Sequence, residues 1–227
     1  MFPLRDTQPS YSRPLITVLI IIINVVVYLH EISLDDYSLN YFIAHYGLVP
    51  ARFHFSTVLT SMFLHAAPGL SAWMHIIGNM WFLWIFGDNV EDAFGHFKYL
   101  AFYFLCGIAG SLTQVVFSAG SRVPMIGASG AIAGVMGAYL IKYPKARIVT
   151  LVFIFVFFTT IEVPASLILA YWFLIQFFSG VGTIGYSHVS QGGTAFFAHI
   201  GGFIAGMILV GVLGTRQIYV RRRDVNW

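Results

Sequence analysis

The sequence predicts an all-α fold, a polytopic membrane protein built as a bundle of six transmembrane helices. Three observations lead there: the composition, the lengths of the apolar runs and the placement of the basic residues. Of the 227 residues, 58% are hydrophobic and only 9% are charged, and the mean hydropathy is +0.80. Soluble domains carry about 25% charged residues, so water is not the main solvent of this chain. A helix that crosses the ~30 Å hydrocarbon layer needs about 20 predominantly apolar residues, and several runs supply them.

The first span is expected from Pro14 to His30, after a short polar start at Met1 to Arg13. No small-residue cleavage pattern follows it, so it reads as a retained anchor and not as a signal peptide. Residues 31 to 70 form a long first loop that holds Glu31, Asp35, Asp36, His45, His54 and His65, with aromatic stretches such as YFIAHYGLVP suited to the interface. Further spans fit 72 to 92, 98 to 119, 127 to 142, 163 to 181 and 194 to 214. From Thr150 to Gly182 the only charge is Glu162, and these 33 residues exceed one upright helix. Two elements are therefore expected: an apolar segment TLVFIFVFFTT near the cytoplasmic face, then a helix starting at 163 to 165, where Pro164 suits a first turn. Two additional full spans would need about 40 residues. The Gly-rich stretch GVGTIGYSHVSQGG reads as a mobile outer loop.

Lys and Arg accumulate in cytoplasmic segments. With the N-terminus inside, the inner segments hold Arg5, Arg13, Lys98, Lys142, Lys145, Arg147, Arg216, Arg221, Arg222 and Arg223, leaving Arg52 and Arg122 outside. This ten-to-two split predicts a cytoplasmic N-terminus over 1–13, a six-span domain over 14–214 and a basic cytoplasmic tail over 215–227. The net charge of +3 does not suggest nucleic-acid binding, and the one cysteine, Cys106, excludes a disulfide framework or a Cys-based metal site. No metal or cofactor is indicated. Short loops, no transit peptide and both ends inside fit a bacterial inner membrane.

Polar groups inside a bilayer are costly, so each is a candidate for function. His75 and Asn79 in WMHIIGNM, Ser129 in IGASGAIAGVMGAY and His199 in FFAHIGGFIAGM stand out. Under the derived topology the second, fourth and sixth spans all run inward from the outer side. Each residue then falls in the first turn or two of its helix, at one depth in the outer leaflet. Gly130, Gly134 and Gly137 share a face of the fourth span, while Gly202 and Gly206 follow His199 at i+3 and i+7. Small residues let membrane helices approach closely, which brings Ser129 within reach of His199. A serine needs a general base at hydrogen-bond distance, a role histidine fills near neutral pH. A developing oxyanion needs donors. The free N–H groups and dipole at the helix start supply some, and His75 and Asn79, i,i+4 neighbours on one face, supply others. Singly, each side chain is explained by packing or by an interhelical hydrogen bond. Their joint placement points to chemistry.

The residues resemble the rhomboid family of intramembrane serine proteases. The resemblance runs from YGLVPARF at 46 through LTSMFLH, HIIGNMWFLWIFGDNVEDAFG, GASGAIAGVMGAY, the YPKAR linker and AHIGGFIAG. It implies a Ser–His dyad without an acidic third member, carried by Ser129 and His199, with His75 and Asn79 at the oxyanion-stabilising positions. It also implies cleavage of transmembrane segments near the outer membrane face, with substrate access beside the fifth span. Two departures stand out. Some members carry a tyrosine four residues after the nucleophile, packed under the base, where this chain has Ala133, so His199 must be oriented by something else. A Trp-Arg pair found in the first loop of many members is replaced here by HFSTV.

Other membrane chemistries fit less well. A metalloprotease needs HExxH, and HEISL at 30 to 34 lacks the second histidine. An aspartyl protease needs paired aspartates within spans, and the spans hold only Asp88 and Asp92, with Glu91, at a cytoplasmic end. The competing class is non-catalytic: a rhomboid-like binder of client helices, or a histidine-lined transporter. The expected partners are transmembrane protein substrates and membrane lipid.

Overall fold

The computed structural model describes residues 2–65, 70–154, 157–183 and 195–216. The expected outer loop at 180–193 and the basic tail at 215–227 fall mostly outside them. Helices occupy all six predicted stretches: α1 (Leu15–Ser33), α4 (Leu70–Phe94), α5 (His96–Phe117), α6 (Ser129–Lys142), α7 (Ala165–Thr183) and α8 (Phe196–Leu213). Four of them, α1, α5, α7 and α8, are long and apolar enough to cross a membrane, and α6 is a shorter apolar helix of 14 residues. The 25-residue α4 carries Asp88, Glu91 and Asp92 in its last turns.

Those acids organise one end of the bundle. Pro14 precedes α1 and offers no side-chain cap. Glu91 of α4 takes that role, accepting from the N–H groups of Ile16 (2.9 Å) and Thr17 (2.8 Å), from the Thr17 hydroxyl (2.7 Å) and from His96 Nδ1 (2.5 Å). An anion at a helix start satisfies orphan donors and complements the dipole. Only Gly95 separates α4 from α5, and its φ of +76° makes the reversal possible. Asp92 accepts from the N–H groups of Tyr11 (2.6 Å) and Ser12 (2.9 Å), Asp88 accepts from Ser10, and Lys142 of α6 donates to Thr215 (2.8 Å). The starts of α1 and α5 and the ends of α4, α6 and α8 therefore meet at one end.

The polar start is folded and not merely a tail. Residues Phe2–Asp6 form β1, and the apolar stretch before α7 forms a hairpin, β2 (Arg147–Ile154) and β3 (Phe157–Pro164). The three strands make an antiparallel sheet in the order β1-β2-β3, with Asp6 opposite Ile148 and Arg147 opposite Pro164. Val, Ile, Phe and Thr in this stretch favour extended backbone, and a hairpin solves the excess length that one helix could not absorb. Trp81 of α4 donates to the Pro3 carbonyl (2.7 Å) and Tyr139 of α6 donates to Asp6 (2.5 Å), fastening β1 to the bundle. Helix α7 begins at Ala165, immediately after Pro164, as predicted.

The first loop contains α2 (Asp36–Tyr46), capped by the Asp35 carboxylate on Ser38 N–H (2.8 Å), and α3 (Phe55–Thr60). It is anchored by backbone: Leu48 and Met125 exchange two hydrogen bonds (3.0 and 2.8 Å), and Ala51 N–H donates to Ser121 (2.9 Å). This lattice holds the loop where HFSTV replaces the Trp-Arg pair. The most extensive helix packing joins α6 to α8. A Cβ added to Gly202 would lie 1.9 Å from the Gly130 carbonyl oxygen, and one on Gly206 1.9 Å from that of Gly134. The predicted glycine faces thus meet backbone to backbone.

Candidate active site

The GAS turn that starts α6 positions the serine. Gly127 adopts φ +121°, and a Cβ there would meet the His75 ring at 2.9 Å, so backbone conformation and space both demand glycine. Its N–H donates to the Ser61 carbonyl (2.9 Å), tying the turn to the first loop. Ser129 is the first residue of α6. The N–H groups of such a first turn have no acceptor within the helix.

His199 lies in the first turn of α8. That turn has no side-chain cap of its own, and Gln114 of α5 accepts from Ala198 N–H instead (3.2 Å). The α6–α8 contact then sets Ser129 Oγ at hydrogen-bond distance, 2.8 Å, from His199 Nε2. His199 is buried and Ser129 is half-buried. A small cavity bounded by Ser61, Ser111, Gly127 and Ala198 opens beside Ser129.

His75 and Asn79 approach the same turn from α4. A Cβ on Gly127 would stand 3.0 Å from His75 Nε2 and 3.8 Å from Asn79 Nδ2. All four residues singled out in the sequence are therefore gathered around residues 127–129. The arrangement places a hydroxyl against one imidazole, with a second imidazole and a side-chain amide across a glycine turn.

Three neighbours escaped the sequence reading. His65, in the first loop, accepts from the Asn79 amide (3.0 Å) and from Ala128 N–H (3.5 Å) at Nε2. Burial, with the nearby His75, pushes its pKa down to about 3, so it is neutral and able to accept. On α7, Gln176 Oε1 lies 2.7 Å from His199 Nδ1, and the Trp172 ring lies 5.6 Å from the His199 ring. Gln176 is a polar side chain within a span, the signal that picked out the other four. His65 gave no such signal from its loop.

A family model described as the rhomboid domain matches residues 52–216, which include the site and most of the helices. The chain belongs to the rhomboid family. It is 29% identical over 152 residues to a mitochondrial RHOMBOID-like protein 6 from Arabidopsis thaliana, a match covering 67% of this chain and 41% of that protein. It is 32% identical over 157 residues to the rhomboid protease GluP of Bacillus subtilis, covering 69% of this chain and 26% of that protein. A mitochondrial rhomboid protein 1 from Saccharomyces cerevisiae is 35% identical over 83 residues, 35% of this chain and 24% of that one. The matched regions thus span well under half of these relatives. Family membership and the apolar helices make this chain an integral membrane protein of helical bundle architecture.

Proposed function

We propose that this rhomboid is an intramembrane serine endopeptidase that cleaves transmembrane segments near the outer membrane face, with Ser129 as nucleophile and His199 as general base. The observation that carries the reading is the 2.8 Å contact from Ser129 Oγ to His199 Nε2 at the head of two helices in backbone contact. As Oγ attacks a scissile carbonyl carbon, its proton passes to Nε2 and the carbonyl π pair becomes an oxyanion. The N–H groups of the α6 start, with Asn79 and His75, are the donors on hand for that charge. Collapse expels the amine, which takes the proton back from Nε2, and water admitted beside Ser129 hydrolyses the acyl ester by the same route.

A peptide bond inside a regular helix is shielded by its own hydrogen bonds, so the substrate must unwind locally. Spans weakened by Gly or Pro are therefore preferred substrates. The charge split supports an inner-membrane protein with both ends cytoplasmic. The bacterial setting rests on loop length and topology, and the relatives include proteins of Bacillus subtilis and of mitochondria. The Ser129–His199 contact favours this reading over a transporter or a client-binding relative.

The test is fluorophosphonate labelling in detergent, together with cleavage of a model transmembrane substrate. Wild type should label and cleave, and folded Ser129→Ala and His199→Ala should do neither. Undiminished cleavage by Ser129→Ala would overturn the assignment. Equal rates on poly-Leu and Gly-containing spans would overturn the unwinding requirement alone.

A further inference from the structure

We infer that Gln176 is the positioning residue for the base, its side-chain oxygen accepting from Nδ1–H so that His199 is held as the tautomer whose Nε2 faces Ser129. The inference deepens the proposed protease reading and rests on it.

A neutral imidazole has one N–H and one acceptor nitrogen, and it is useful as a base toward Ser129 only if the acceptor is Nε2. The proton must then sit on Nδ1, where it needs a partner. The Gln176 oxygen is that partner at 2.7 Å. Both side chains are 8% exposed, so bulk water does not compete for the bond. Trp172, one helical turn before Gln176 on the same face of α7, lies against the imidazole and limits ring rotation. Together they orient His199 where Ala133 leaves no aromatic ring on α6.

An amide supplies the acceptor geometry of a carboxylate without placing a second ionisable group beside His199. The described titratable group that acts electrostatically on His199 is His75 of α4, and from α6 and α7 the ring meets the neutral Ser129, Gln176 and Trp172. The support also comes from an unusual place. Helix α7 buries only Ala165, Leu169, Gln176 and Gly180 among its described residues. The base is therefore oriented by a helix held through a narrow stripe.

The experiment compares Gln176→Leu, Gln176→Glu and Ser129→Ala with wild type in two ways: the pH dependence of fluorophosphonate labelling, and the imidazole 15N shifts of His199. Gln176→Leu should slow labelling at least ~100-fold, the lower end of what a positioned general base contributes. It should leave thermal stability near wild type and shift the 15N pattern away from a single Nδ1–H tautomer. Gln176→Glu should keep that tautomer and retain labelling within ~10-fold. Its labelling midpoint should move up in pH, because a carboxylate partner favours the imidazolium.

A Gln176→Leu variant with wild-type 15N shifts and a wild-type labelling profile would overturn the positioning role. If Ser129→Ala then still failed to label, the protease reading would survive without it. Should wild type itself not label, that reading falls, and the 15N comparison decides the tautomer claim by itself.

Discussion

The side-chain amide of Asn79 donates to His65 Nε2 across 3.0 Å, joining α4 beside the Ser129 turn to the first loop. His65 in turn receives the Ala128 N–H, directly before Ser129, and its own backbone N–H donates to the buried Glu31 of α1 (3.0 Å). The His65 ring thus ties α4 to the GAS turn, while its backbone N–H holds α1. His65→Ala should therefore lower turnover much as Asn79→Ala does, by roughly 10-fold to 1000-fold. The double variant should be no worse than the poorer single one, because both remove one network. His65 is neutral above about pH 3, so its loss should not move the activity midpoint near neutrality. Multiplicative losses in kcat, or a displaced midpoint, would refute the shared role.

At Gly202 and Gly206 the α6–α8 contact has no room for an added atom. Gly206→Ala would place a Cβ 1.9 Å from the Gly134 carbonyl oxygen. Overpacking of this kind costs about 1–3 kcal/mol, and parting the helices separates Ser129 from His199. Labelling and melting temperature should fall together. Gly211→Ala, on the same helix with no atom within 4 Å of the new Cβ, is the control and should match wild type. Equal behaviour of the two variants would show that the backbones do not meet there.

At the opposite end, Glu91→Ala strips α1 of its cap and His96 of its partner. Hydrogen bonds to a charged acceptor are worth about 1.5–3 kcal/mol each, so a loss of at least ~2 kcal/mol is expected in detergent unfolding. The effect should be on stability alone. A lowered labelling rate in the variant while it remains folded would contradict this.

Asp6 offers a pH-dependent measurement. Burial raises its pKa from 3.8 to about 6, against the lowering effect of the Tyr139 hydrogen bond. A carboxyl whose folded pKa is raised favours the native state when protonated. Its contribution is full below about pH 4 and is lost as pH rises through about 6. Asp6→Asn should therefore be more thermostable than wild type above pH 6, with the gap closing toward pH 4. A gap that is constant across this window would mean that Asp6 does not titrate in it.

Much of this molecule was readable because hydrocarbon is an unforgiving solvent. A polar residue in a span must earn its place, which singled out Ser129, His199, His75 and Asn79, and glycine spacing announced which helices touch. Gln176 met the same criterion but sits in the one stretch whose boundaries were ambiguous, where length and not polarity drew the eye. The sheet was hidden for a different reason. A continuous apolar run such as TLVFIFVFFTT has no period to separate strand from helix, and the strand that completes the sheet, Phe2–Asp6, lies far away in sequence. His65 could not be paired with Asn79 until the first loop had a path, and that path depends on the Leu48–Met125 exchange.

The sheet also sets a schedule for assembly. Phe2–Asp6 precedes α1 in the chain, yet its pairing partner, Arg147–Ile154, follows α6. Closing so long a loop is slow compared with forming local helices. Phe2–Asp6 must therefore wait, unpaired, while α1, α4, α5 and α6 form. Their docking on Trp81 and Tyr139 marks a late step, at which the strand closes that end of the bundle behind a finished set of helices.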